Sequence, residues 1–416
     1  MIGESRTDDD PCEDSFRITD QTVSARHLPS KPAHFKMKRI ICLLVIYVGL
    51  INGREKAPAV PPCDRVVCYV TLNGMRRPGV GGFRPDKIPP KFCTHIIIGH
   101  MTIVKSELKA NMKADHDIFK EMLRLKVLEP LLDVIVSVEA NKQISELVED
   151  DERRLKFVAS VVKYLREMEL DGLNLALVNP NIIPEEPEEK LKYSYLMRDL
   201  QESFQEEAER TGRDKLLLVA DVSGNDMKSD QGYEVFAFSR YLDFINILTL
   251  NYHGNWDKYP GHNSPIFADD GYSIDETLRY WVQRGMTRSQ INAAIPTYGR
   301  SYHVTEPENS QPYISGTGIG GPVTKSVGFL SFFELCKVVK DEGEFFISTI
   351  EKSAIYKYEG LWITYDNVAT IRYKVQFYRE RGYGGIVIYT LDFDDIYGTE
   401  CHVGEFPLTK AAAEAC

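Results

Sequence analysis

Carboxylates close to the ends of apolar runs are the side chains in this sequence best suited to acid–base chemistry. Two carboxyl groups held on either side of a reacting bond can act as general acid and general base. The candidates are Asp221, Asp243, Asp392, Asp394 and Asp395. Asp221 fits a strand terminus, and we find no two of these residues positioned as an acid and a base.

The histidines and cysteines give no metal-binding pattern. The nine histidines are scattered, without H-E-x-x-H or H-x3-H spacing, and no C-x-x-C pair occurs. These spacings are the ones that place several ligands around one ion. We therefore expect neither a metal nor a cofactor.

The net charge argues against nucleic acid as a partner. The chain has 416 residues and a formal charge of −11, from 50 basic and 61 acidic residues. Nucleic-acid binding needs a basic surface that displaces counterions from phosphates. The hydrophobic fraction of 43% is ordinary for a globular protein, and the length suits two or three domains or one large α/β barrel.

The first 53 residues predict an extension followed by a secretory signal. Residues 1–36 are polar and patternless, so we expect them to be disordered. Residues 37–53 have a basic start at Lys38 and Arg39, an apolar run from Ile40 to Ile51, and a small residue, Gly53. This pattern is typical of a signal peptide and is short for a membrane span. We expect translation to start at Met37 and the mature protein to be secreted, extracellular and free of the membrane; the alternative is a signal anchor with a cytoplasmic tail.

Removal of that signal leaves six cysteines, an even number that suggests disulfides in an oxidising compartment. Six cysteines allow 15 pairings, and spacing alone does not choose among them. They are Cys63, Cys68, Cys93, Cys336, Cys401 and Cys416.

Eight short apolar runs alternate with amphipathic stretches and predict the elements that would position any site. Buried parallel strands are apolar on both faces, and helices with an apolar stripe cover them. The α/β class with a (β/α)8 TIM barrel is the leading fold, over residues 62–300 and 361–416; a doubly wound open sheet is the alternative. Residues 301–360 are too many for one helix and predict a small α+β insertion between strands 7 and 8. The runs are Val66–Leu72, His95–Met101, Asp133–Val138, Gly172–Val178, Lys215–Val222, Phe244–Leu250, Asn292–Thr297 and Gly385–Leu391.

Several segments, in order along the chain, resemble the glycoside hydrolase family 18 chitinases and chitinase-like lectins. The resemblance covers about Arg65 to Pro407. The segments that carry it are CYVT…CTHIIIG, LDGLNLALVNP, NYHGNWDKYPGHNSPIF, IPTYGRSY, WITYDN and GGIVIYTLDFDD.

The catalytic signature of that family is altered in this chain. Family enzymes carry D-G-x-D-x-D-x-E on the fourth strand, where this chain has Asn174, Ala176 and Val178 in place of the last three acids. Residues two apart on a strand face the same side, so all three point into the predicted barrel. The family's Tyr-Asp pair on the sixth strand is similarly replaced by Leu250 and Asn251. The resemblance therefore implies that this chain is not an enzyme.

The aromatic residues that floor the family's sugar site are also reduced. Asn73 and Tyr389 stand where the family has tryptophan, and the Gly-Gly-Trp segment is replaced near residues 139–141. Tyr298, Arg300 and Tyr389 remain as predicted ligand contacts, although Tyr298 and Arg300 could instead close the rim of the barrel. His100 stands where the family has an aromatic residue and is expected to be a core or rim histidine.

The resemblance implies a secreted protein that acts by binding, as a lectin or in a growth-factor-like role. The implied ligand is chitin or an N-acetylglucosamine oligosaccharide. Two alternatives stay open: a barrel that binds an extracellular protein and no sugar, as an inhibitor or storage protein, and a residual chitinase. The resemblance also implies the disulfides Cys68–Cys93 and Cys336–Cys401. Cys63 and Cys416 remain, and they would meet if the last helix runs back beside the first strand.

Overall fold

The computed structural model describes residues 62–139, 142–178, 187–224, 233–304 and 318–416. The predicted extension at 1–36 and the predicted signal at 37–53 lie outside these residues.

Eight parallel strands form a closed barrel, which confirms the predicted fold. Strand β1 (Arg65–Thr71) pairs with both β2 (His95–Val104) and β14 (Gly385–Tyr389), so the sheet has no open edge and the doubly wound alternative is wrong. A short antiparallel strand, β3 (Glu107–Lys109), extends β2. The barrel strands are β1 (Arg65–Thr71), β2 (His95–Val104), β4 (Asp133–Glu139), β5 (Gly172–Leu177), β6 (Leu217–Ser223), β7 (Phe244–Leu248), β8 (Ile291–Pro296) and β14 (Gly385–Tyr389).

Helices follow the strands and cover the outside of the barrel. In the helix Asp151–Glu167, Phe157, Val161 and Leu165 are buried at the predicted spacing, and the Asp150 side chain caps its first turn. The helices are α1 (Leu72–Arg76), α2 (Asp115–Arg124), α3 (Lys142–Val148), α4 (Asp151–Glu167), α5 (Pro187–Thr211), α6 (Val235–Tyr241), α7 (Ile274–Gln283), α8 (Phe332–Val338), α9 (Val368–Glu380) and α10 (Pro407–Ala415).

Side chains that alternate along the strands form two separate cores. One lies between the sheet and the helices. The other fills the barrel and is called here the inner cluster. The inner cluster consists of Val67, Tyr69, Ile97, Ile135, Val219, Phe244, Leu248, Leu250, Ala294 and Val387, with Val178, Leu217 and Tyr389 packed against it.

The insertion after β8 is built on a second, antiparallel sheet that is wider than residues 301–360. The sheet begins at Tyr298 and ends at Tyr365, because the first and the fifth of its strands in the chain pair with each other across the predicted boundaries. Its strands are β9 (Tyr298–His303), β10 (Phe329–Ser331), β11 (Glu344–Ile347), β12 (Ala354–Tyr358) and β13 (Leu361–Tyr365).

Three disulfides join the six cysteines in the pairs expected above. The Cα atoms of Cys63 and Cys416 lie 5.0 Å apart, and a backbone hydrogen bond of 2.9 Å joins the same two residues. Helix α10 therefore does return to the start of β1. The other pairs, Cys68–Cys93 and Cys336–Cys401, have Cα separations of 5.8 and 5.1 Å. No helix in the described ranges combines the length and the apolar character needed to cross a bilayer.

Candidate functional site

The inward face of β5 carries the three positions at which the family resemblance leads us to expect acids. Leu173 and Leu175 alternate with them and pack outward, under the helices. Asn174 is fully buried, Ala176 is 1% exposed, and Val178 lies just beyond the end of the strand, against the inner cluster. The three side chains therefore present an amide, a methyl group and an isopropyl group, and none of them can give or take a proton.

Asn174 is hydrogen-bonded to a carboxyl group, that of Asp221 on β6, which is 1% exposed. Asn174 Nδ2 donates to Asp221 Oδ2 at 2.7 Å, and Asn246 Nδ2 donates to Asp221 Oδ1 at 2.8 Å. Burial raises the pKa of Asp221 to about 6, against the effect of these hydrogen bonds. Asp221 is thus a buried group held by two amides, and solvent does not reach it.

A line of side-chain amides connects Asp221 with an arginine on β1. Asn292 Nδ2 donates to Asn246 Oδ1 at 3.0 Å, and Arg65 Nε donates to Asn292 Oδ1 at 3.0 Å. Each amide accepts on one side and donates on the other, so the dipoles run in one direction from the guanidinium to the carboxyl group. This arrangement gives the amides of Asn246 and Asn292 a partner on both sides and leaves them little freedom to contact a ligand.

Ser137 on β4 joins the same interior network. Its Oγ accepts from Asn174 Nδ2 at 2.8 Å and contacts Tyr69 Oη at 2.9 Å and His100 Nδ1 at 3.1 Å. Burial lowers the pKa of His100 and raises that of Tyr69. His100 therefore lies in the barrel as a neutral side chain bonded to a serine, in line with its expected role.

Glu139, the last residue of β4, is an exposed carboxylate that the sequence reasoning did not count as a candidate. It lies two residues after Ser137 and pairs in register with Ala176, so it faces the mouth of the barrel. Counting alternate residues from the start of the Asp133–Val138 run would have placed it on the inward face. Glu139 is the accessible carboxylate nearest in register to the altered signature.

The other aspartates considered above have structural partners. Asp243 binds Lys215 at 2.8 Å and the backbone N–H of Leu218 at 2.8 Å, before β7 begins and therefore at the opposite end of the barrel from the mouth. Asp392 pairs with Arg77, and Asp394 accepts from the Thr409 hydroxyl at 2.8 Å. The backbone N–H of Cys401 donates to Asp395 at 2.7 Å. These contacts support the expectation that none of the four forms an acid–base pair.

Asn251 brings Tyr298 and Arg300 together at the rim of the barrel. Its backbone has a φ of 59°, and its Oδ1 accepts from Tyr298 Oη at 2.7 Å and from Arg300 Nη2 at 2.5 Å. Tyr298 is 3% exposed, and its ring stacks on Phe329 at a centroid distance of 4.6 Å. Burial raises the pKa of Tyr298 to about 12. Tyr298 therefore has little surface left for a ligand and holds Asn251 and Arg300 in place.

Trp256 borders this group and is the second residue that sequence reasoning missed. It is 54% exposed, and the Arg300 guanidinium carbon lies 4.8 Å from its ring centroid. Trp256 is one of only three tryptophans and lies in one of the family-like segments, NYHGNWDKYPGHNSPIF. Those two facts would have identified it as a candidate.

Tyr389 lies apart from that group, in the mouth of the barrel. Its ring centroid is 5.1 Å from that of Tyr69, and, like Val178, it packs against the inner cluster, to which Leu250 belongs. Burial raises the pKa of Tyr389. The mouth is therefore apolar here, with Tyr389 as its partly exposed aromatic side chain.

The geometry provides no metal centre in the part of the chain that is described: no three His, Cys, Asp or Glu side chains converge there. A cavity of about 600 Å³ lies beside β13, with Trp362 and His262 in its wall. Its wall is formed by the insertion and by the loop that contains His262, and it includes none of the residues described above at the barrel mouth.

A comparison with known protein families matches residues 65–394 to the family described as glycosyl hydrolases family 18. The chain belongs to this family. Human chitinase-3-like protein 2 is 31% identical to the family 18 chain described here, over 83% of this chain and 91% of that protein. The oviduct-specific glycoprotein of Mesocricetus auratus is 32% identical over 89% of this chain, and the match spans only 56% of that longer protein.

Two solved structures show that the family 18 fold does not decide activity. One is human YKL-39, described as a pseudo-chitinase with retained chitooligosaccharide binding; it has a TM-score of 0.79 and 29% identity, over 84% of this chain and 99% of that one. The other is TsES1 of Trichuris suis, described as an immunomodulatory active chitinase; its TM-score is also 0.79, with 25% identity over the same shares. The site residues must therefore carry the functional argument.

Proposed function

We propose that this family 18 chain is an extracellular protein that binds an oligosaccharide at the mouth of its barrel and does not hydrolyse it. The observation that carries the proposal is the inward face of β5, where Asn174, Ala176 and Val178 offer no carboxyl group. In the related enzymes, positions two residues apart on this strand hold the catalytic acids. Without these acids the chain keeps the barrel fold but lacks the groups that hydrolysis needs.

Hydrolysis in the related enzymes needs a proton donor and a carboxylate that orients the N-acetyl group of the substrate. Val178 has no proton to donate, and Ala176 cannot accept the hydrogen bond of the acetamide. General-acid catalysis alone contributes about 10²- to 10⁴-fold to a rate. The two missing groups act together, so the expected loss exceeds that of either one.

Neither Asp221 nor Glu139 can take the place of the acids that are missing at Ala176 and Val178. Asp221 is 1% exposed and bonded to two amides, so it cannot reach a glycosidic oxygen. Glu139 is exposed, but the residue beside it in register is Ala176, where a second carboxylate would be needed. A single carboxylate without a partner supports binding more readily than acid–base catalysis.

Sugar binding is supported by the exposed aromatic surface near the rim. Trp256 has a largely exposed ring next to Arg300, and Tyr389 is partly exposed in the mouth. Flat apolar faces of this kind can stack on a pyranose ring. Human YKL-39, described as a pseudo-chitinase, retains chitooligosaccharide binding on the same fold.

An extracellular location is supported by the three disulfides, which persist in oxidising compartments. The predicted signal at residues 37–53 agrees with this location. N-terminal sequencing of the protein that cells secrete tests this location and the start site. The first residue is expected to lie downstream of Met37, and a first residue upstream of Met37 would contradict the predicted start.

The binding proposal is tested by calorimetry with chitotetraose and by retention on chitin beads, with cellulose beads as the control. Saturable binding of chitotetraose and retention on chitin alone are expected. Absence of both would remove the sugar ligand from the proposal and favour the second candidate.

That second candidate is a protein-binding barrel without a sugar ligand, and one surface of the insertion favours it. Strand β11 is an edge strand of its sheet, and its Phe345 and Phe346 are 51% and 41% exposed. Ile350, 53% exposed, follows it. Exposed apolar side chains on a sheet edge are features of protein-interaction sites. A glycan array that is blank, together with a protein captured from extracellular fluid and lost with Phe345→Ser, would favour this candidate.

A further inference from the structure

Arg300 is a buried cation that has no counterion among the residues the structure describes. Only 9% of the surface of Arg300 is exposed to solvent. Within the described ranges, no Asp or Glu side chain forms an ion pair with it; its hydrogen bond is to the neutral amide of Asn251. Burial of an unpaired charge is costly, and proteins usually offset that cost with a carboxylate or leave the position to a ligand.

Aromatic rings cover much of the guanidinium. Its carbon lies 4.8 Å from the centroid of the Trp256 ring, and 5.5 Å from those of Tyr298 and Phe329. Cation–π contacts recover only part of the lost hydration. The rings contact the flat faces of the guanidinium, so its N–H groups, which point outward in the plane, remain available for hydrogen bonds.

That N–H edge is only partly used. Nη2 donates to Asn251 Oδ1, and Nε is buried with no hydrogen-bond partner. Asn251 cannot supply more, because its Oδ1 also accepts from Tyr298 Oη at 2.7 Å. An aspartate at this position would have brought a full negative charge, and the asparagine leaves the charge of Arg300 unbalanced.

We propose that Arg300 recognises the carboxylate of an acidic sugar, so that the preferred ligand is an oligosaccharide that contains a hexuronic acid. This inference rests on the proposed function, because it names the ligand class of the same rim. The ligand supplies the negative charge that Asn251 lacks, and a planar carboxylate matches the paired N–H groups of a guanidinium.

The neighbouring Trp256 identifies the ligand as a sugar. More than half of its surface is exposed, and it lies directly against Arg300. A ligand that engages both residues needs a flat apolar ring face and an anionic substituent on the same unit. A uronic acid in its pyranose form has both features.

The test compares three oligosaccharides by calorimetry on the full-length secreted protein. They are the tetrasaccharide of hyaluronan, in which N-acetylglucosamine alternates with glucuronic acid; the same tetrasaccharide with its carboxyl groups reduced to alcohols; and chitotetraose. The acidic form should bind at least about tenfold more tightly than the reduced form, and this advantage should shrink in high salt.

Asn251→Asp is the decisive variant. It replaces the side-chain amide by a carboxylate of the same shape, which gives Arg300 a counterion within the protein. The preference for the acidic over the reduced tetrasaccharide should fall to about twofold or less. Gln283→Glu, an exposed position on α7, changes the net charge equally and should keep the preference. Arg300→Met should lose it as well; if that variant does not fold, Asn251→Asp still decides.

Equal affinities for the acidic and reduced tetrasaccharides would overturn the inference, as would a preference that survives in Asn251→Asp. If either of these results is found and chitotetraose still binds, the proposed function stands without the inference. If the acidic tetrasaccharide alone binds, the inference stands and the neutral ligand is wrong. If no sugar binds, both fail.

Discussion

Asn174 Nδ2 lies 2.7 Å from Asp221 Oδ2, inside a barrel where the related enzymes place a ladder of acids. The amide donates a hydrogen bond to the carboxyl group and adds no charge. A second acid at this position would face Asp221 in a solvent-free environment, where like charges strongly disfavour each other. The asparagine therefore hydrogen-bonds the buried carboxyl group without adding a second charge.

Asn174→Asp should destabilise the protein at neutral pH. The substitution replaces a hydrogen-bond donor by an acceptor against a buried carboxyl group, at an expected cost of about 3 kcal/mol in the free energy of unfolding. The cost should shrink towards pH 4, because one of the two acids then takes up a proton that the other can share. Urea denaturation at pH 7 and pH 4 measures both values. Asn73→Asp, at an exposed position, should change stability by less than about 0.5 kcal/mol; equal effects of the two variants would count against the account.

Asp221 should make the protein more stable in acid than at neutral pH. Burial raises its folded pKa to about 6, from an ordinary value of 3.8. A raised pKa contributes stability that is fully present below the unfolded pKa and is lost as the pH rises through the folded one. The contribution is about 2 kcal/mol between pH 4 and pH 7.

Asp221→Asn removes the titrating group, so the difference in unfolding free energy between pH 4 and pH 7 should change by about that amount. Asp394, whose pKa burial also raises to about 6, stays in both proteins and cancels in the comparison. A pH profile that is parallel in the two proteins would show that Asp221 does not titrate as described.

The disulfide Cys63–Cys416 should stabilise the protein more than Cys68–Cys93. The first joins residues 353 positions apart and the second joins residues 25 apart. If loop entropy dominates, the longer loop contributes about 2 kcal/mol more. Paired Cys→Ser variants of each bridge, compared by urea denaturation, give the two values. A larger loss from the short bridge would mean that packing around Cys68 and Cys93 outweighs the entropy of the unfolded chain.

Trp256→Ala should weaken chitotetraose binding by about tenfold, with little change in stability. The ring is largely exposed, so its removal leaves no cavity in the core. Tyr373→Ala removes a similarly exposed aromatic ring on α9 and should leave binding unchanged. Calorimetry with both variants makes the comparison. Unchanged affinity in Trp256→Ala would place the sugar elsewhere.

The barrel could be predicted from sequence because each parallel strand is buried on both faces and appears as an apolar run. The ends of the strands were less predictable. The run Phe244–Leu250 stops at Leu248 in the structure, since the next residues turn and Asn251 adopts a positive φ. The insertion was placed correctly between strands 7 and 8. Its bounds depend on the pairing of β9 with β13, and a local sequence pattern cannot predict a pairing between strands so far apart in the chain.

The candidate site was predicted only in part, because its contacts join distant strands. Alternation on β5 correctly placed Asn174 and Ala176 on one face. The partners of Asp221, however, lie 47 and 25 residues away along the chain. Strand alternation could have identified Glu139, and the family-like segment could have identified Trp256, but the exposure of both side chains appears only in the structure. The unbalanced charge of Arg300 also appears only when its neighbours are known.

The absence of hydrolytic activity is tested by the turnover of a fluorogenic chitotriose, measured from acid to neutral pH. No release of fluorophore above the blank is expected, and the same result is expected for Val178→Glu, since a restored acid would still lack a carboxylate at Ala176. Turnover of the unmodified protein above about 0.1 s⁻¹, within a hundredfold of an ordinary enzyme rate of about 10 s⁻¹, would contradict this expectation.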